Sequence, residues 1–249
     1  MFGCTISVTA RSRTLGIIAS AYEEPAPAGW SLPLTPTDFT TTGTPASIAL
    51  TDPGSIGAND IVIAVINIRQ TNTLSDSSGT WTLIGGAPVT VGSGNNGSNL
   101  YVWWHRGEPS SWGFAVNGTT TSQVVGAVDV IRGAVTSGNP IVTSASATGT
   151  DGTIETPSLS GLTGDERCYT AVVWADSSTG GTGVPTSFGS MPSGWTNRAE
   201  PHKPGANSNQ TALLLAYKDA TSSSLASETY TLDATPNSWA AIAFALDLA

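Results

Sequence analysis

Short apolar runs alternate along this chain with clusters of Gly, Ser, Thr, Asn and Pro. DIVIAVINIR (60–69) and SWAAIAFAL (238–246) are apolar on both faces of an extended backbone. That pattern predicts central strands covered on both sides. FAVNG (114–118) and YTLDA (230–234) alternate apolar with polar, so each is expected to turn one side to solvent. No segment carries a long stripe of helical period with capping residues at its ends. The reading is an all-β fold of about twelve strands with almost no helix, in two antiparallel sheets that bury their apolar faces against each other.

From about residue 45 the pattern repeats in order. SIAL (47–50) is matched by PSLS (157–160), and DIVIAVINIR (60–69) by ERCYTAVVWA (166–175). SGTWTLIGG (78–86) is matched by SGWTNRAE (193–200), and NLYVWWHRG (99–107) by ALLLAYKDA (212–220). SWGFAVNG (111–118) is matched by ETYTLDAT (228–235), and QVVGAVDVI (123–131) by SWAAIAFAL (238–246). Trp81 and Trp195 anchor the alignment and are expected in equivalent buried places. The order predicts two sequence-similar halves, 45–141 and 142–249. Between them lies DVIRGAVTSGNPIVTSAS (129–146). Arg132-Gly133 ends the last strand of the first half, and Asn139-Pro140 is a turn pair. This stretch reads as a seam and not as a catalytic loop.

Residues 1–44 stand outside the repeat. Prolines at 25, 27, 33 and 36, with Pro45 just beyond, deny this segment a full set of ladder donors. It is expected to be an N-terminal arm that anchors the protein to a neighbour, with Ile6, Val8, Ile17, Ile18, Trp30 and Leu32 filling grooves on that partner.

Composition narrows the functions. Charged residues make up 11% of the chain and the net charge is −9, which argues against a nucleic-acid partner. No apolar run reaches the roughly 18 residues of a membrane span. The two cysteines, Cys4 and Cys168, match no metal-binding spacing, and Cys168 reads as a buried free thiol. His105 and His202 stand near no nucleophile motif, and Glu200 beside His202 is expected to be a solvated loop. No catalytic, cofactor-binding or metal-binding residue is expected. The best binding candidates are Trp103, Trp104 and Trp112. Neighbouring strand residues face opposite ways, so one of Trp103 and Trp104 should enter the core while the other faces outward or a second layer. An exposed indole there could stack on a sugar ring.

The order GANDIVIAVINIR, SGTWTLIGG, NLYVWWHR, VVGAVDVIRGAVTSGNPI resembles the β-sandwich structural proteins of tailed-bacteriophage virions. The turn Pro192-Ser193-Gly194-Trp195-Thr196 and the segment Asp129–Gly133 with Asn139-Pro140-Ile141 carry the same likeness, which spans residues 45–249. The resemblance implies a jelly-roll, lectin-like sandwich without cofactor or enzymatic activity, located in the virion as a capsid decoration or tail-associated subunit. It implies other virion proteins (major capsid or tail subunits) as partners; a homo-oligomeric state is also expected, and the exposed indole makes a host surface glycan a further candidate partner. The alternative is a carbohydrate-binding module or host-attachment adhesin.

Overall fold

The computed structural model describes residues 31–32, 34–43, 46–69, 72–93, 97–118, 122–176, 188–203, 210–232, 238–247 and 249. The first strands are β1 (Thr37–Gly43), β2 (Ser47–Ala49), β3 (Ile61–Arg69), β4 (Thr73–Asp76), β5 (Thr82–Leu83), β6 (Val89–Val91), β7 (Ser98–Arg106), β8 (Gly113–Asn117) and β9 (Ser122–Ile131). They are followed by β10 (Ile141–Gly149), β11 (Thr153–Glu155), β12 (Leu159–Ser160), β13 (Arg167–Asp176), β14 (Thr196–Ala199) and β15 (His202–Lys203). The last are β16 (Gln210–Asp219), β17 (Ser224–Leu225), β18 (Thr229–Thr231) and β19 (Ser238–Leu246). No described residue is helical. The strands beyond the expected dozen are mostly ladders of two or three residues.

Two large antiparallel sheets carry the fold. One runs β1-β9-β3-β7-β5, with β6 also on β7; the other runs β10-β19-β13-β16-β14, with β15 also on β16. Smaller ladders are β2-β8-β4, β11-β18 and β12-β17, and Ser31–Arg132 and Phe188–Leu232 form isolated bridges. All nine residues of β3 and all nine of β19 are buried, as their unbroken apolar pattern requires. Val62, Ala64 and Ile66 pack with Ile48, Phe114 and Trp81 on one side of β3. Ile61, Ile63 and Val65 point the other way, into a cluster with Tyr169, Ala171, Leu213 and Phe244 of the second sheet. The far side of that sheet, including Val172, Trp174 and Leu214, packs with Ile154, Tyr230 and Leu225. The result is sandwich-like, with each large sheet covered on both faces. Each β3 isoleucine contributes about 1.5–3 kcal/mol by this burial.

Polar groups fix how the large sheets meet. Asn67 Nδ2 on β3 donates to Thr211 Oγ1 on β16 at 2.8 Å, and Thr211 Oγ1 donates to the Trp174 carbonyl at 2.7 Å. The Ser98 hydroxyl donates to Asn67 Oδ1. Farther along, Asp129 of β9 meets Arg198 of β14: Nη2 lies 2.6 Å from Oδ1 and Nε lies 3.0 Å from Oδ2. Asp129 pairs with Ile63, four residues from Asn67 on β3. The two polar contacts are therefore separated by about 13 Å of strand.

Two close approaches lock the outer strands. Phe39 of β1 lies opposite Gly126 of β9, and a Cβ on that glycine would stand 2.2 Å from the Phe39 ring. Trp239 of β19 lies opposite Gly149 of β10, where a Cβ would stand 2.4 Å from the indole. Each glycine leaves a slot that the aromatic ring across the ladder fills.

The arm boundary expected at 44/45 is corrected here. Thr37–Gly43 is strand β1, paired along its length with β9. Ser31 exchanges backbone bonds with Arg132, Leu32 packs on the cluster between the sheets, and the Leu34 carbonyl accepts from Arg198 at 2.9 Å. Residues 31–32 and 34–43 thus lie against the chain's own sheets. Leu32, expected to contact a partner, is an intramolecular contact because the rim of the inter-sheet cluster offers it apolar cover. The other arm residues, Ile6, Val8, Ile17, Ile18 and Trp30, lie outside the described residues.

The seam is a tie point. Arg132 forks onto Asp60, with Nε–Oδ1 at 2.9 Å and Nη2–Oδ2 at 2.7 Å. Asn139 Oδ1 accepts from the Ile141 N–H at 3.0 Å and so closes the turn. Beyond β19, the Asp247 N–H donates to the Pro140 carbonyl and the Ala249 N–H to the Gly133 carbonyl, both at 3.0 Å. Asp247 and Ala249 are thereby bonded to the link between the two large sheets.

Candidate functional site

The three candidate tryptophans separate. Trp103 turns toward β8, stacked with Tyr101 at 6.1 Å and tilted against Phe114 at 5.5 Å. It is buried, and its indole nitrogen has no hydrogen-bond partner. Trp112 is half-buried, edge-on to Trp81 at 5.9 Å. Trp104, one residue along from Trp103, faces the second sheet and remains half-buried at the rim of the inter-sheet cluster. The alternation along β7 thus decides which indole reaches a surface.

Trp104 lines a groove between the β5 edge of one sheet and β10 of the other. The groove holds about 190 Å³ and is also lined by Thr82, Leu83, Asn139, Thr143 and Ser144. An adjoining hollow of about 240 Å³ shares Gly85 and Ser144 with it and continues along β10 past Ser146. Neither hollow has a charged residue in its lining. Asn139 Oδ1 is engaged by the Ile141 N–H, which fixes its amide group at the groove mouth. An aromatic face, hydroxyl groups and an amide without charge suit a neutral polar ligand. Thr82, Thr143 and Ser144 carried no sequence signal, since the chain is full of Ser and Thr; only folding brings them to Trp104.

Several titratable groups are engaged in structural contacts. Glu200 accepts from the Phe188 N–H at 3.1 Å and from Asn197 Nδ2 at 2.9 Å, so its carboxylate braces a loop. His105 Nδ1 lies 3.1 Å from the Gly107 carbonyl, and its ring sits 5.6 Å from Trp81. The His202 ring sits 5.6 Å from Trp174. Burial pushes the Asp129 carboxyl above its ordinary value, and the bonds from Arg198 and Val130 only partly oppose it. At Asp60 burial also raises, but the Arg132 guanidinium and the Gly57 N–H prevail and lower it. Burial, with Glu166 and Asp219 nearby, pushes the Cys168 thiol up to about 12. That makes Cys168 an inert core thiol. Among the described residues no three His, Cys, Asp or Glu side chains gather as a metal site would need.

No protein family, no curated protein and no solved structure matches the chain.

Proposed function

We propose that this chain is a non-enzymatic structural subunit of a tailed-phage virion, built as two jelly-roll halves. The observation that carries the reading is the strand order. In the first half β1-β9-β3-β7 faces β2-β8-β4, an order that supports a jelly-roll reading. The second half runs β10-β19-β13-β16 in step with it. Thr82, after Trp81, pairs with Trp104, and Thr196, after Trp195, pairs with Tyr217. This supports the likeness carried by the Gly-x-Trp-Thr turn and the Arg-Gly…Asn-Pro-Ile segment. Adhesion between subunits would then be its work, through surface area and strand edges, with the major capsid or tail proteins as partners. Antiserum against the purified chain should decorate purified particles in immunogold microscopy, and the chain should persist in their mass spectrum after high-salt washing. Particles that neither bind the antiserum nor contain the chain refute the reading.

The groove at Trp104 favours a second reading, a glycan-binding attachment module. A glycan array with the wild-type chain, repeated with Asn139→Ala, separates the two. A neutral saccharide signal lost in the variant supports binding, and no signal with the wild type refutes it.

A further inference from the structure

We propose that strand β10 is a self-association edge, at which two copies of this chain pair antiparallel and join their second large sheets into one continuous sheet. The inference does not depend on where the protein resides.

β10 is the terminal strand of its sheet, with β19 as its neighbour and, among the described residues, no strand paired along its other side. Its sequence, IVTSASATG, contains no charged residue and no proline. A free strand edge is a template for another strand, and proteins ordinarily guard it with charge, proline, a bulge or brevity. The other described edges of the large sheets follow that rule. β1 carries Asp38 and enters from Pro36. β14 is four residues long and is broken by a bulge between Asn197 and Ala199, where Arg198 sits. β5 and β6 have two and three residues. The β10 bulge lies at its start, between Ile141 and Thr143, and leaves Thr143 to Gly149 regular and unguarded. Val142, at that bulge, is the exposed large hydrophobic side chain of the described residues, 41% accessible.

An extended strand is the occupant whose donors and acceptors match such an edge. A second copy of β10 brings no charge to the edge itself, so the repulsion between two chains of net charge −9 acts only at longer range, where salt screens it. Rotation about an axis normal to the sheet keeps like faces together. Centred on Ser146, it sets Ser146 against Ser146 of the partner subunit, Ser144 against Thr148 of the partner subunit, and Ala145 against Ala147 of the partner subunit. Hydroxyl pairs then line one face and methyl groups the other, and both kinds of cross-strand pair are favourable.

The test uses the full chain in sedimentation velocity across a wide concentration range. The wild type is expected to reach twice the monomer mass in one reversible step. Ser146→Lys, which adds an exposed charge at the centre of the edge, is expected to weaken the dimer at least tenfold with its melting temperature unchanged. Thr40→Lys on β1 should leave the dimer intact. In a Cys4→Ser background, Ser146→Cys should form an interchain disulfide under mild oxidation. A wild type that stays monomeric throughout overturns the proposal. So does a dimer that survives Ser146→Lys and yields no disulfide at position 146.

Discussion

Replacing Arg198 by methionine tests how the two large sheets are held together. Asp129 has no exposed surface, and its carboxylate accepts from Arg198 Nη2 at 2.6 Å, Arg198 Nε at 3.0 Å and the Val130 N–H at 2.9 Å. Arg198→Met removes two of these three bonds and leaves a buried carboxylate facing the inter-sheet cluster. Breaking such a pair from one side costs about 3–5 kcal/mol, because the remaining charge keeps its desolvation penalty without its partner. Asp129→Leu combined with Arg198→Met removes the penalty with the charge, so the double variant should recover most of the loss. The pH dependence has a definite sign. The folded-state pKa of Asp129 is already raised by burial above 3.8, so the folded state binds its proton more readily than the unfolded chain does. Its unfavourable contribution is present above the folded value and is relieved as pH falls through that value toward 3.8. Without Arg198 the folded pKa rises further, so the Arg198→Met penalty should shrink on acidification. Urea unfolding of the wild type, both single variants and the double variant, at neutral and mildly acidic pH, measures the loss, the coupling and the slope. A loss within about 0.5 kcal/mol at neutral pH, the range of ordinary surface changes, would show that the pair does not hold the sheets together. A penalty that does not change with pH would refute the reasoning about Asp129.

Trp81→Ala and Trp195→Ala should each cost about 3–5 kcal/mol in chemical denaturation, since both indoles are buried beside the strand that pairs with the central aromatic position. Gly126→Ala should cost about 1–3 kcal/mol by driving the Phe39 ring off β9, read as a lowered denaturation midpoint. Cys168 should resist a thiol reagent in the folded protein and react fully once the chain is unfolded in urea, given its burial and raised pKa. Asp60, with its folded pKa held below 3.8, contributes stability that is present above 3.8 and lost as pH falls through the folded value; Asp60→Asn should flatten that part of an acid-unfolding curve.

The doubly apolar runs were the most legible part of the sequence. DIVIAVINIR and SWAAIAFAL became β3 and β19, buried along their whole length, because covering both faces of a strand leaves no reason to alternate. Short outer strands were harder to place. The pattern aligns SIAL with PSLS, yet Ile48 pairs with Phe114 while Ile154, from the preceding segment, pairs with Tyr230. Leu159 of PSLS instead forms a separate ladder with Leu225. A three-residue strand has too little pattern to fix its own register, and the ladder partner decides it. The proline-rich stretch misled for a related reason. Proline removes donors, but an edge strand needs donors on one side alone, so TDFTTTG could close the sheet directly after Pro36. At the candidate site the sequence could name Trp104 through the alternation along β7. It could not supply Asn139 or Thr143, which reach the same groove from the far side of the seam.

The buried polar contacts explain why the seam has its particular residues. Two apolar sheets could slide over one another with little change in buried area, since hydrophobic attraction is non-directional. Asn67 with Thr211 and Asp129 with Arg198 each require one alignment, because a shift leaves an amide or a carboxylate unpaired in the interior. Bonds from Asp247 and Ala249 to the seam hold β19 at the same level. Arg132, committed to Asp60, ends β9 where the chain must leave one sheet for the other. With β19 second in the order of the second sheet, β10 occupies the outside position beside it. Its uncharged edge is therefore presented by the same alignment that the buried pairs enforce. Arg198→Met, by loosening that alignment, should also weaken self-association, which sedimentation at a fixed concentration would detect; an unchanged dimer in a destabilised Arg198→Met protein would show that edge and interface act independently.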